Sequence, residues 1–288
     1  MVEDENVSKV IPFTMRQKRG RGKRVIAITS GKGGVGKTNL VANLAYAFVE
    51  RKERTLILDA DLGLGNIDVI LGLTPKYNLS HVVGGQKSLE EILVKGPGGI
   101  LVLPASSGIE EMANLSRNQK LMILKDLEQI IEDIDVVLID TAAGISSNVM
   151  YFNSVAQNII VLVSPEPTSI TDAYAVIKLL FTKYRREKFY LACNFVRSSK
   201  EGIEIYRQLR LVTDRFLQID LKYLGHIFLD DNVPTCVKWQ KILVKDFPES
   251  VASKCFITLA EKLLSLPEAQ EASESGLVWG SLMGLNGS

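Results

Sequence analysis

The chain has 288 residues, 46% hydrophobic and 23% charged, with a formal net charge of +1 at pH 7. This composition is typical of a globular protein, and it excludes a wholly disordered chain, a collagen-like fibre and a disulfide scaffold. The small net charge argues against a globally basic nucleic-acid binder. Three widely spaced cysteines without a CxxC pair, and no apolar run of membrane-spanning length, predict a cytosolic protein.

Charge and hydropathy divide the chain into three parts. Residues 1–23 begin acidic and turn basic, and we expect a solvated arm, with an acidic partner or anionic lipid as the alternative. Residues 24–266 lack a linker-like interruption and are predicted to form one domain. Residues 267–288 are first polar and then apolar, and we interpret them as a C-terminal tail.

From Arg24 onward, continuous apolar runs alternate with helix-like stretches. Strands are predicted at 25–28, 55–58, 100–103, 136–139, 159–163, 189–193 and 223–229. Helices are predicted at 37–50, 116–132, 168–184, 199–217 and 248–266. Continuous apolar runs indicate strands buried on both faces, so the pattern predicts an α/β fold: a doubly wound, mostly parallel sheet flanked by helices. In such a sheet, ligands bind at the carboxyl ends of the strands.

A glycine-rich segment connects the first predicted strand to the first predicted helix. Its sequence, Gly31-Lys32-Gly33-Gly34-Val35-Gly36-Lys37-Thr38, fits the phosphate-binding pattern G-x-x-x-x-G-K-[ST]. Lys37 is predicted to reach the β- and γ-phosphates of a nucleotide, and the Thr38 hydroxyl to bind Mg²⁺. Lys32 is not needed to hold phosphates in its own subunit. It is either an exposed loop residue or a lysine that reaches a phosphate across a subunit interface.

Two predicted strands end in carboxylates on the same side as this loop. Asp140 follows the buried run 136–139 and is predicted to support Mg²⁺, through a water molecule. Asp61 follows the run 55–58 and precedes a glycine-rich segment, so it is predicted to orient the attacking water. The alternative for either aspartate taken alone is a helix cap or turn residue.

These motifs resemble the MinD/ParA branch of P-loop ATPases, which carries a deviant Walker A motif. The resemblance rests on KGGVGKT at 32–38, DADLGLGNID at 59–68 and DTAAGI at 140–145. Further segments, including LGLTPKYNLSHVV at 71–83 and PEPTSITDAYAVIKLL at 165–180, resemble the flagellar-number regulators of the FlhG (FleN) group. The resemblance spans about residues 24–266.

The resemblance implies a cytoplasmic ATPase that uses ATP and Mg²⁺ and dimerises face to face when ATP is bound. It implies that Lys32 acts in trans on the partner's nucleotide. It also implies that Thr38, Asp61 and Asp140 lie near the metal and that Asn194 contacts the adenine edge. It also places Glu166 at the nucleotide, and Glu166 and Asp172 at the dimer interface. The implied partners are an FlhF-type GTPase, a flagellar transcription activator, components of the flagellar C-ring and the inner membrane.

Two features depart from the FlhG pattern, and two other functions stay open. Residues 1–23 lack the DQAxxLR segment that stimulates the GTPase, and the apolar end at 276–285 contains no Lys or Arg. The tail is therefore expected either to bind a membrane weakly or to pack on the protein's own surface. The alternatives are a division-site ATPase of MinD type and a DNA-partitioning ATPase of ParA type, with the basic segment 16–24 on DNA phosphates. No specific nucleic acid is expected.

Overall fold

The computed structural model describes residues 23–61, 65–104 and 117–267, and only the backbone of 117–124. The predicted arm and tail therefore lie outside the described residues, apart from their innermost positions. The central part of the glycine-rich segment after Asp61 also lies outside them.

Eight strands form one sheet among the described residues, in the order β3-β4-β2-β5-β1-β6-β7-β8. All neighbouring strands are parallel except β3 and β4. The predicted doubly wound, mostly parallel sheet is confirmed. The strands are β1 (Arg24–Ser30), β2 (Thr55–Ala60), β3 (Val94–Lys95), β4 (Leu101–Pro104), β5 (Val136–Ala143), β6 (Asn158–Val163), β7 (Lys188–Val196) and β8 (Asp220–Phe228).

Helices cover both faces of the sheet. They are α1 (Lys37–Glu50), α2 (Ile67–Leu71), α3 (Leu79–Val83), α4 (Leu89–Ile92), α5 (Arg117–Glu132), α6 (Ser147–Val155), α7 (Pro167–Tyr184), α8 (Ser199–Phe216), α9 (Asn232–Lys238), α10 (Leu243–Asp246) and α11 (Val251–Ser265), with a short 3₁₀ turn at Pro97–Gly99. The five long helices predicted from the sequence are present, with ends shifted by up to three residues. The other helices, including α6, and the strand β3 were not predicted from the sequence. Segments this short carry too few residues for a recognisable period.

Strand β1 runs through the centre of the core and is buried along its whole length. Ile26 and Ile28 face a layer formed mainly by α1 and α11, whereas Val25 and Ala27 face the opposite layer. Helices α5 and α6 contribute to that opposite layer next to β2 and β5, and α7 and α8 cover β6 and β7. Burial on both faces explains why the strand runs are continuously apolar.

The amino edge of the sheet is where both described ends of the chain lie. The Arg24 guanidinium donates to the carbonyl oxygens of Leu264 and Leu266, at 2.9 and 2.8 Å. Both carbonyls lie at the carboxyl end of α11, where the helix dipole favours a positive charge. Within the described part of the chain, no helix combines the length and apolarity needed to span a bilayer.

Candidate functional site

The phosphate-binding loop lies between β1 and α1, as predicted. Gly36 precedes α1 with φ at 93°, a left-handed conformation that favours glycine. Ser30, the last residue of β1, donates from Oγ to the Lys32 carbonyl at 2.7 Å. The same hydroxyl accepts from Lys37 Nζ at 2.9 Å. Ser30 therefore joins the two ends of the loop, a role that its sequence position alone did not indicate.

Lys37 is buried at the centre of the site. Burial lowers the pKa of its ammonium group, and the nearby carboxylates of Asp140 and Asp61 oppose that shift. These interactions place three predicted residues within one electrostatic cluster at the carboxyl edge of the sheet. A lysine held in this way can offer its charge to a phosphate without a large rearrangement.

Asp140 is the most deeply buried acid of this cluster, at 1% exposure. Neither of its oxygens has a hydrogen-bond partner with good geometry in the described part of the chain. The pKa of Asp140 is raised to about 7, mainly by burial and then by the negative charge of Asp59, while a hydrogen bond from the Thr38 hydroxyl and the charge of Lys37 act in the opposite direction. A buried carboxylate without a partner is costly, because its lost hydration is not replaced.

Mg²⁺ fits these surroundings. The cation prefers oxygen ligands, keeps several waters and is commonly bound through one or two carboxylates together with substrate phosphates. The two orphaned oxygens of Asp140 and the Thr38 hydroxyl supply such a set beside the loop. Over the described residues, no three His, Cys, Asp or Glu side chains cluster as ligands for a metal ion.

Asp59 belongs to the same cluster, although we assigned it no role from the sequence. It is aligned with Asp140 across β2 and β5, and it is 4% exposed. The pKa of Asp59 is raised to about 7, mainly by burial; the hydrogen bond from the Asp61 backbone N–H opposes this shift, and the charges of Asp61 and Asp68 reinforce it. A Cβ atom at Gly65 would lie 2.4 Å from Asp59 Oδ2, so the backbone beyond Asp61 returns to this carboxylate. The signal in the sequence was the doubled acid Asp59-Ala60-Asp61.

Asp61 lies at the end of β2 and is half-buried. Its backbone N–H is 3.3 Å from Asp59 Oδ1. Its charge acts on both Lys37 and Asp140. The structure therefore brings Asp61 to the phosphate loop, as predicted, and leaves it more accessible than Asp59 and Asp140.

Helix α7 begins beside the loop and holds Lys32. Lys32 Nζ forms an ion pair with Glu166 and donates to Thr168 Oγ1 at 3.1 Å. The backbone of Asp172 packs on the loop, and a Cβ atom at Gly31 would lie 2.3 Å from the Asp172 carbonyl carbon. The structure thus brings together Lys32, Glu166 and Asp172 within one chain. Thr168 completes the set and was not singled out from the sequence.

Asn194, at the end of β7, supports the loop from the other side. Its Nδ2 donates to the Val35 carbonyl at 2.8 Å, and its Oδ1 accepts from the Phe195 N–H at 2.9 Å. Phe195 has φ at 61°, which is uncommon for an aromatic residue and marks local backbone strain. The bonds formed with the described residues use one N–H and one lone pair of the Asn194 amide, and its second N–H and second lone pair are a donor and an acceptor of the kind that the edge of adenine pairs with.

Comparison with known proteins identifies the family. The sequence profile of the AAA domain matches residues 23–189. The antiactivator FleN of Pseudomonas aeruginosa is 45% identical over 244 residues, covering 85% of this chain and 87% of FleN. The chain belongs to the MinD/ParA family of P-loop ATPases, in its FleN and FlhG group.

Two further relatives agree with this assignment. The flagellum site-determining protein YlxH of Helicobacter pylori is 34% identical, over 88% of this chain and 87% of YlxH. The septum site-determining protein MinD of Pyrococcus horikoshii, solved with Mg-ADP, superposes with a TM-score of 0.68 at 26% identity, over 84% of this chain and 96% of MinD. The MinD/ParA ATPase fold and the ATPase class predicted from the sequence are confirmed.

Proposed function

We propose that this chain regulates the number and placement of flagella as an ATPase that dimerises when it binds ATP. Support comes from its 45% identity to FleN over most of both chains and from its likeness to the flagellum site-determining protein YlxH. The observation that carries the dimer is the loop itself. Lys37 is buried and bonded within the loop of its own subunit, where we place the phosphates, whereas Lys32 is half-exposed and so can reach a second subunit by exchanging its pairing with Glu166.

We assign the remaining roles from geometry and charge. The N–H groups of the loop and Lys37 hold the phosphates of ATP, and Asn194 contacts the adenine edge. Thr38 and Asp140 would hold Mg²⁺, and Asp59 and Asp61 add negative charge to the same cluster. When bound, the cation would supply positive charge that stabilises the transferring phosphoryl group. Asp61, as the most accessible acid of the cluster, orients the water that attacks the γ-phosphate. Hydrolysis yields ADP and phosphate.

Lys32, Glu166 and Asp172 form part of the proposed dimer face. In the single chain Lys32 is paired with Glu166, so dimerisation exchanges this pair for contacts with the partner's nucleotide.

The proposed partners beyond a second copy are an FlhF-type GTPase, a flagellar transcription activator and C-ring components. We propose a cytoplasmic protein that joins the inner membrane peripherally when ATP is bound. Division-site and DNA-partitioning roles are the alternative functions.

The dimer is tested by light scattering with ATP and with ADP. The wild-type chain should dimerise with ATP alone, and Lys32→Ala should bind ATP with similar affinity but stay monomeric. Lys254→Ala, which removes an exposed lysine from α11, is the matched control and should dimerise normally. Normal dimerisation of Lys32→Ala would overturn the role in trans.

The cellular role is tested by deleting the gene and counting flagella per cell. The wild-type gene should restore the number, and the Lys32→Ala gene should not. Normal flagella with misplaced septa would favour the division-site alternative instead. Salt-sensitive binding to random duplex DNA would favour the partitioning alternative, because such binding depends on phosphate contacts.

A further inference from the structure

A groove at the amino edge of the sheet lies on the edge opposite the nucleotide site. It is an open cavity of about 700 Å³ where α8 ends and β7 and β8 begin. Leu217 and Ile219 provide its apolar part, and Glu187, Asp214 and Asp220 its carboxylates; the other lining residues are Lys188 and Gln218. Neither the nucleotide nor the proposed dimer face uses this groove.

Three carboxylates and one ammonium group, that of Lys188, line the groove, so its lining has an excess of negative charge. Asp214 is 3.3 Å from Arg210 and Asp220 is 3.2 Å from Lys222, and these four side chains are all more than half exposed. Exposed pairs of this kind contribute little to stability and remain free to exchange partners. In the described part of the chain, Glu187 has no ion-pair partner. The carboxyl end of the 18-residue helix α8 adds the negative end of its dipole.

The strand register gives the distance from the start of β1, which follows the chain's basic segment, to this groove. Ile26, Asn158, Lys188 and Asp220 lie side by side across β1, β6, β7 and β8. Three strand spacings therefore separate β1 from β8, a distance of about 14 Å. The chain before Arg24 leaves β1 on the same edge, and about five extended residues span that distance. Arg19 and Arg21 are close enough to reach the groove, and Arg16 and Lys18 follow.

We propose that this groove binds the chain's own basic segment, residues 16–21. The guanidinium and ammonium groups of the segment pair with Glu187, Asp214 and Asp220, and its apolar neighbours Phe13 and Met15 meet Leu217 and Ile219. Because the attachment is intramolecular, even weak individual pairs act at a high effective concentration. Docking would hold the positive charge of the segment on the edge away from the nucleotide and out of reach of acidic partners or lipids.

Limited trypsin digestion tests the docking, because trypsin cleaves after Lys and Arg. At low salt, cleavage after Arg16, Lys18, Arg19 and Arg21 should be about tenfold slower in the wild-type chain than in the variant Glu187→Gln, Asp214→Asn, Asp220→Asn. A control variant that combines Asp126→Asn, Glu128→Gln and Glu249→Gln neutralises three exposed acids elsewhere in the chain. Trypsin should cleave this control at the same rate as the wild type. High salt should abolish the protection in the wild type. Equal cleavage of wild type and groove variant at low salt would overturn the proposal.

Charge reversal and cross-linking distinguish a contact within one chain from a contact between two chains. The triple variant with Glu187→Lys, Asp214→Lys and Asp220→Lys should lose protection. Adding Arg16→Glu, Lys18→Glu, Arg19→Glu and Arg21→Glu to this variant reverses the charges on both sides of the contact. Cleavage within residues 13–21, measured with a protease that does not require lysine, should then become slow again. Carbodiimide coupling should join Lys18 to a groove carboxylate within a chain of monomer mass. Couplings found only in species of dimer mass would overturn docking in cis. ATP turnover should not change in the groove variant, so this test can fail independently of the proposed function.

Discussion

Asp61, Asp59 and Asp140 stand within one cluster of carboxylates, but their surroundings differ. Asp140 is fully buried and has no hydrogen-bond partner of good geometry among the described residues, and Asp59 is buried against Gly65, whereas Asp61 is half-buried at the mouth of the site. A carboxylate that orients water needs access to that water, and one that supports a cation needs a fixed position. Burial thus gives a physical reason for the different roles that we predicted from the sequence for Asp61 and Asp140.

Asp61→Ala should bind ATP with nearly wild-type affinity but hydrolyse it about 10²-fold more slowly, because the attacking water loses its orientation. The variant should accumulate as an ATP-bound dimer. Asp140→Ala should instead weaken nucleotide affinity and its Mg²⁺ dependence together. ATP turnover, nucleotide affinity and dimer fraction, measured for both variants, check this difference. Wild-type turnover by Asp61→Ala, or no ATP binding by it, would contradict the assignment.

The raised pKa of Asp140 also has a consequence for the nucleotide-free protein. Its folded-state pKa of about 7 exceeds the ordinary value of 3.8, so the folded chain binds more protons than the unfolded chain between those values. Stability should therefore fall as pH rises from about 4 through 7, since ionisation is easier in the unfolded state. Asp140→Asn removes this penalty and should be more stable than wild type at pH 8 by about 2 kcal/mol or more.

Denaturant unfolding without nucleotide, at pH 4.5 and at pH 8, measures this effect. The stability gain of Asp140→Asn should be small at the lower pH and large at the higher one. Asp126→Asn, at an exposed site on α5, should show no such pH dependence. A gain of equal size at both pH values would mean that the effect comes from packing and not from ionisation.

At the scale of elements, the phosphate loop is held between α7 and β7. Helix α7 contacts the loop through the Asp172 backbone and through Glu166 and Thr168, and β7 contacts it through Asn194. The loop is therefore a packed part of the core edge before any nucleotide binds. Its glycines serve different purposes, since Gly31 makes room for a helix, whereas a Cβ atom added at Gly33 would meet no described atom within 4 Å.

This difference predicts unequal effects of two equal substitutions. Gly31→Ala places a methyl group against the α7 backbone and should cost at least about 2 kcal/mol in the nucleotide-free protein, because backbone cannot move aside cheaply. Gly33→Ala should change the free energy of unfolding by less than about 0.5 kcal/mol. Denaturant unfolding of both variants without nucleotide checks the prediction. Equal destabilisation would show that α7 does not rest on Gly31.

At the scale of the whole molecule, the two edges of the sheet have different tasks. The carboxyl edge gathers the loop and the acids, and the amino edge holds both described ends of the chain, joined by the bonds from Arg24 to Leu264 and Leu266. The three apolar clusters of the described core are built from residues between Val25 and Leu266.

Removing residues 268–288 should abolish ATP-dependent sedimentation with anionic liposomes, because two apolar tails in a dimer bind lipid with avidity. The full-length Lys32→Ala protein, as a monomer, should sediment as poorly as the truncated chain. Equal sedimentation of the truncated and complete wild-type chains would assign lipid binding to the basic arm.

The sequence by itself predicted the mostly parallel sheet and the place of the phosphate loop between the first strand and the first helix. Strands buried on both faces leave continuous apolar runs, and a loop that wraps phosphates needs glycines and lysine at fixed spacing, so both are visible along the chain. Only the tertiary structure decided which distant residues meet. Pairing of β2 with β5 sets Asp59 beside Asp140, and packing of α7 sets Thr168 on Lys32. Strand order and helix packing are long-range outcomes, and no local pattern encodes them, because each depends on how the whole apolar surface is buried at once.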